Sequence, residues 1–148
     1  MSIEKMISEH PDVVASGAYN EALGRAVKHA MYCAAICNSC ADACSAEDTD
    51  MRQCIRTCMD CSDVCEATYR VATRRTGENR QLIRTMLATC IHACEICEVE
   101  CARHDEAHCR RCAQMCRECA ADCRTALEGL NDEVHADAEV SPFEHGAA

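Results

Sequence analysis

Aromatic side chains are almost missing from this sequence: of its 148 residues none is Trp, one is Phe and three are Tyr. The length suffices for one domain with a true core, yet rings cannot be what fills it. Glycine (5) and proline (2) are scarce as well. That argues against the loop-rich frame of a disulfide scaffold. No apolar run approaches the roughly 18 residues of a membrane-spanning helix; "AMYCAAIC" is about the longest. Positive charge is in deficit, with 15 Lys and Arg against 25 Asp and Glu and a formal net charge of -10. Such a chain is poorly suited to phosphate backbones, so no nucleic-acid partner is expected. The opening "MSIEKMISEHPDVV" has no apolar stretch followed by a small-residue cleavage site. The expectation is a cytoplasmic protein whose thiols stay reduced.

What the chain has in excess is cysteine, 17 residues. The stretch "CAAICNSCADAC" sets the rhythm, with Cys33, Cys37, Cys40 and Cys44 spaced four, three and four apart. The same C-x3-C-x2-C-x3-C pattern recurs at Cys54, Cys58, Cys61 and Cys65. It recurs at Cys90, Cys94, Cys97 and Cys101, and again at Cys112, Cys116, Cys119 and Cys123. Cys109 extends the fourth copy backwards by three residues. Spacings of four and three place all four thiols on one stripe of an α-helix, whereas a strand would need even spacings. Residues off the stripe are polar, as at Asn38, Asp42, Arg56, Glu98 and Arg117. Each copy is thus an amphipathic helix whose apolar face is cysteine.

The breaks between copies fall at "SAEDTD", "TRRTGEN" and "RHDEAH". They supply Asp and Thr caps before Met51, Gly77 as a terminator, and Asn79 and Asp105 as caps. Four helices are expected, over about 16–45, 50–75, 80–103 and 106–129. Short connections make neighbours antiparallel. The predicted fold is all-α, an antiparallel up-down-up-down four-helix bundle with a cysteine-lined core, over residues 16–130. An N-terminal segment, 1–15, holds a short helix over Ser2–Glu9 stopped by Pro11; residues 131–148 form an acidic mobile tail.

Antiparallel packing gives the bundle two unlike ends. One collects the hydrophobes that extend the stripes: Tyr19, Leu23, Ala26, Ala30, Thr68, Ala72, Ile83, Leu87, Ala126, Leu127 and Leu130. It is expected to be sealed. The other collects Cys44, Met51, Cys54, Cys101, His104, His108 and Cys109. Thiolate, thioether and imidazole are soft ligands, so this end reads as a mouth. Met51 and Asp105 stand near it, although packing and capping are their simpler roles. His29 and His92 are expected to be structural or exposed, and Met86 and Met115 to belong to the core.

Cysteines at i and i+4 have Cβ atoms about 5–6 Å apart. With metal–thiolate bonds near about 2.3 Å, one soft cation fits almost linearly between two such sulfurs. Structural zinc prefers closed tetrahedra on knuckles and loops, and iron–sulfur clusters prefer loop cysteines, often with proline nearby. Cu(I) tolerates two or three thiolates and suits a continuous tube of them. Seventeen thiolates balanced by monovalent cations give a capacity on the order of 15–20 Cu(I). Cysteine as mere core filler fits poorly with four copies in one register, since Val, Ala or Leu would fill a core without risk of oxidation.

These four stripes on a helical chain without a leader resemble the bacterial copper storage proteins, and among them the cytosolic branch. The resemblance covers about residues 16–130. It implies a four-helix bundle that holds many Cu(I) ions through thiolates, assembled as a homotetramer. It also implies that the pairs Cys33/Cys37, Cys40/Cys44, Cys54/Cys58, Cys61/Cys65, Cys90/Cys94, Cys97/Cys101, Cys112/Cys116 and Cys119/Cys123 are ligands. Cys109, His104 and His108 would then lie near the mouth. The expected role is non-catalytic storage and detoxification. Two other readings compete. A metallothionein-like Zn or Cd buffer would use the same thiols. A thiol-based redox protein needs one accessible, low-pKa cysteine, and here no thiol stands apart from the rest. A copper chaperone needs one or two sites rather than 17 thiols.

Overall fold

The computed structural model describes residues 1–75 and 78–140. All regular structure among them is helical: α1 (Ile3–Ser8), α2 (Pro11–Ser16), α3 (Glu21–Ser45), α4 (Arg52–Ala72), α5 (Arg80–Cys101) and α6 (Ala107–Val140). The long helices α3 to α6 carry one cysteine stripe each.

The N-terminal segment holds two short helices where one was expected. Pro11 opens α2 instead of only closing α1, because at the first helical position its fixed φ suits the helix and its missing N–H costs nothing. Gly17 ends α2 in the left-handed region at φ 67, a conformation that costs glycine little. α3 then starts five residues later than expected, at Glu21, where the Asn20 side chain accepts from the Leu23 N–H at 2.9 Å.

Ahead of α4 the Asp50 carboxylate accepts from the Arg52 N–H at 3.2 Å and from its guanidinium at 2.9 Å. Asn79 precedes α5, but its side chain donates to the Arg74 carbonyl at 3.1 Å instead of capping. The expected terminator Gly77 lies outside the described residues. α6 continues to Val140, so residues 131–140 are helical where a mobile tail was expected. Arg84 donates to Asn131 at 2.9 Å, and Arg80 pairs with Glu133, tying the start of this stretch to α5. Residues 141–148 of the expected tail lie outside the described residues.

α3 packs on α4 and α6, and α5 packs on the same two; α1 rests on α3. The thiol stripes face inward and form the middle of the core. Leu23, Ala26, Ala30, Ala72, Ile83, Leu87, Ala126 and Leu130 are buried together at one end. Burying a Leu such as Leu87 contributes about 1.5–3 kcal/mol. Side-chain bonds cross between helices: Ser62 donates to the Ala34 carbonyl at 2.7 Å, and Arg117 to Glu98 at 2.8 Å.

Candidate metal centre

All 17 cysteines are buried and none is in a disulfide. Their sulfurs form a connected column. Within single stripes, Cys33 and Cys37 are 3.8 Å apart, Cys40 and Cys44 are 4.0 Å, Cys54 and Cys58 are 4.0 Å, and Cys97 and Cys101 are 3.8 Å. Between stripes the approaches are as short: Cys44 to Cys54 at 3.6 Å, Cys58 to Cys101 at 3.5 Å, Cys37 to Cys112 at 3.6 Å and Cys65 to Cys90 at 3.7 Å.

Linear coordination at about 2.3 Å per bond would need sulfurs about 4.6 Å apart, whereas three sulfurs around one ion lie about 4.0 Å apart. The pairs along each helix already stand at the shorter spacing. The column therefore accepts three-coordinate and bridged ions without moving its helices, and linear ions only by spreading a pair.

The donor atoms group into tetrads. Among them are four all-cysteine groups: Cys33, Cys65, Cys94 and Cys119; Cys33, Cys37, Cys61 and Cys116; Cys37, Cys97, Cys112 and Cys116; and Cys40, Cys58, Cys101 and Cys112. Another, at the mouth, is mixed: Cys40, Cys44, Cys109 and His108. Successive tetrads share members, so together they make a stack and not a set of separate sites.

The mouth residues fall into three groups. His108 is brought to the thiols as expected. Its Nδ1 lies 3.5 Å from both Cys40 Sγ and Cys109 Sγ, and its Nε2 is 2.9 Å from Glu47 Oε1. His104 instead lies against Glu100, Nε2 to Oε1 at 3.3 Å, with Arg103 on the other carboxylate oxygen at 3.1 Å. Met51 is buried beside the mouth and Asp105 is exposed. Away from the site, His29 pairs with Asp122 and His92 is exposed.

Both carboxylates escaped the sequence reading. Glu100 stands four residues before His104, a helical spacing that signals contact. Glu47 lies in the turn after α3, 61 positions from His108, and no local spacing announces it.

Burial shapes the chemistry of the thiols. It pushes Cys54 and Cys109 up, and Cys44 up to about 11. Cys40 goes the other way: Cys101 pushes it up, but hydrogen bonds with Cys112, Cys58 and His108 bring it down to about 6. His108 is raised by its bonds to Cys40 and Glu47. The mouth is thus where a thiol of lowered pKa and an imidazole of raised pKa face one another.

Stacked soft donors with one polar opening are a container for a soft cation. The family profile described as copper storage protein matches residues 19–128. The chain belongs to the copper storage protein family. A solved structure of the Streptomyces lividans copper storage protein, loaded with 10 copper equivalents, is 40% identical. The match covers 86% of this chain and 99% of that one, with a TM-score of 0.81. A structure of a cytosolic copper storage protein from the same organism, with five coppers, is 45% identical over 73% of this chain and 93% of that one, with a TM-score of 0.71. No match is found among curated proteins. Within the family region lie all four cysteine stripes, both mouth histidines and both of their carboxylate partners. In this copper storage protein, no helix among the described residues is long and apolar enough to cross a membrane.

Proposed function

We propose that this copper storage protein holds copper as Cu(I), on the order of 15–20 ions by charge balance with its thiolates. All 17 cysteines act as ligands, His108 completes the mixed tetrad, and His104 is a second imidazole at the mouth. The observation that carries this reading is the continuous column of buried sulfurs, spaced for shared, three-coordinate ions. The protein stores and detoxifies copper and catalyses nothing. A redox enzyme would expose one activated thiol, whereas every cysteine here is buried.

The four long helices form an antiparallel up-down-up-down bundle over about residues 16–130. Sulfur pairs across successive helices support this order: Cys44 at the end of α3 with Cys54 at the start of α4, and Cys65 of α4 with Cys90 of α5. The protein works in the cytoplasm, as the Streptomyces relative described as cytosolic does, and assembles as a homotetramer. Exposed Met59, Leu82, Ile96 and Val99 supply apolar surface for such an assembly.

The test is anaerobic titration of reduced apo-protein with Cu(I) against a chromophoric chelator. Uptake of about one ion per cysteine is expected. Saturation at roughly one to four ions would end the storage reading and point to a chaperone or to zinc sites. Competition with Zn at matched free concentrations separates the metallothionein-like alternative.

A further inference from the structure

The sulfur column is not uniformly connected. Toward the mouth, Cys40, Cys44, Cys54, Cys58, Cys97, Cys101, Cys109 and Cys112 contact one another. Examples are Cys54 to Cys101 at 3.8 Å, Cys97 to Cys58 at 3.8 Å and Cys44 to Cys109 at 3.8 Å. Toward the sealed end, Cys33, Cys61, Cys65, Cys90, Cys94 and Cys119 do the same. There Cys61 meets Cys94 at 3.9 Å, Cys65 meets Cys94 at 3.7 Å and Cys90 meets Cys119 at 4.0 Å.

Between the halves stand two residues, Cys37 on α3 and Cys116 on α6, themselves 3.7 Å apart. Cys37 reaches the mouth half through Cys97 at 4.0 Å and Cys112 at 3.6 Å. The pair reaches the sealed half through Cys33, 3.8 Å from each, and through Cys61, 4.0 Å from Cys116. Among the described sulfur approaches of 4.0 Å or less, every route from one half to the other passes through Cys37, and Cys116 stands beside it as its partner toward the sealed half. Both belong to the two central tetrads at once.

We propose that Cys37 and Cys116 form a two-thiol waist through which copper is relayed from the mouth half to the sealed half. The inference rests on the Cu(I) store proposed above. A bare ion in a dry apolar core has lost its hydration and gained nothing in return, so it does not drift freely between sites. It moves by ligand exchange, from sulfur to neighbouring sulfur. At each step one Cu–S bond forms as another breaks, and copper stays Cu(I). The proton displaced from the incoming thiol is taken up by the thiolate that lets go. Exchange is fast where sulfurs lie within a shared coordination sphere, which for three thiolates spans about 4.0 Å. Within each half most sulfurs have two or more sulfur neighbours, so copper has alternative steps there. The waist has no third thiol to stand in.

The test compares two double variants of the full chain by stopped-flow absorbance of the Cu(I)–thiolate bands, with Cu(I) delivered from a chelator complex. Cys37→Ala/Cys116→Ala removes the waist. Cys97→Ala/Cys101→Ala removes a touching pair, 3.8 Å apart, inside the mouth half and leaves the other sulfurs of that half connected. Each loses two ligands of the same kind. The control is expected to load with the kinetics of the unmodified protein, its capacity reduced by about the two missing thiols. The waist variant is expected to fill its mouth half at the normal rate. It should fill the sealed half in a separate phase slower by at least about tenfold. Loading of the waist variant with the control's kinetics would overturn the relay while leaving the store intact. Failure of the unmodified protein to take more than a few ions would remove the store, and the relay with it.

Time-resolved differential alkylation of the unmodified protein gives the same answer if the waist variant does not fold. Mouth-half cysteines become protected first, Cys37 and Cys116 next, and Cys65, Cys90 and Cys119 last. Protection of the sealed half ahead of, or together with, the mouth half would equally refute the relay.

Discussion

The two ends of the core are built on the same four helices and the same stripe positions, yet they hold opposite chemistry. At the sealed end the stripes run on into Ala26, Ala30, Leu87 and Ala126, each at most 1% exposed. At the mouth they run on into Cys109, His108 and His104, with Glu47 and Glu100 bonded to the imidazoles. One end excludes water and carries stability. The other keeps polar groups within reach of solvent and carries access. A thiol core binds tightly but packs weakly, since a cysteine buries less apolar surface than a leucine. The sealed end compensates by concentrating the larger hydrophobes where no ion has to pass.

The largest effect that would separate the two ends is on stability. Leu87→Ala at the sealed end is expected to cost the apo-protein about 2–5 kcal/mol, read from urea denaturation, because the closely packed site cannot collapse around the lost atoms. Copper capacity should stay within about one ion of the unmodified protein, since no ligand is removed. Loading should restore much of the lost stability, because a cargo bound only by the folded state shifts the equilibrium toward it. A Leu87→Ala protein that folded as stably as the parent would mean that the thiol column, not the sealed end, holds the helices together.

At the mouth the balance reverses. His108→Ala is expected to slow the first phase of Cu(I) uptake by about tenfold. It should change apo stability by no more than about 1 kcal/mol, because the side chain is only partly buried. Stopped-flow loading and a denaturant curve on the same variant make the comparison. His104→Ala should slow uptake less, since its ring nitrogen lies against Glu100 rather than a sulfur. Equal effects of the two histidines would blur the distinction drawn between them.

How much of this was legible in the sequence depends on whether a feature is local to one helix. The stripes were legible because the 4-3-4 spacing of Cys33 to Cys44 fixes a helical face without any partner. The unlike ends were legible as well, since each stripe continues outward along its own helix. Pro11 was misread because proline closes one helix and opens another with equal ease, and the sequence alone does not choose. The helical continuation past 130 was missed because Arg80 and Arg84 hold its start, at Asn131 and Glu133, from across on α5. The waist was invisible for the same reason. Cys37 and Cys116 hold unremarkable places in their own repeats. Only the relative depth of α3 and α6 makes them neighbours.

The smallest expected effect is also the sharpest probe of the mouth. Glu47 Oε1 lies 2.9 Å from His108 Nε2, and a carboxylate can only accept, so Nε2 carries the hydrogen. In the neutral ring Nδ1 then holds the lone pair, and it is this atom that lies 3.5 Å from the sulfurs of Cys40 and Cys109. Glu47 therefore fixes both the tautomer and the direction of a ligand it does not itself become. Glu47→Ala frees the ring to turn and to exchange tautomers. Uptake in the first phase should slow by roughly threefold, less than for a buried partner because Glu47 is substantially exposed. Final capacity should be unchanged. Glu47→Gln retains an accepting oxygen and should recover most of the rate. The matching change at the other imidazole, Glu100→Gln, should leave that first phase nearly unaltered, because no thiol waits on the far side of His104 in the way that Cys40 and Cys109 wait on His108. If Glu47→Gln proved as slow as Glu47→Ala, the carboxylate would be acting through its negative charge, drawing the cation to the mouth, and not through the orientation of His108.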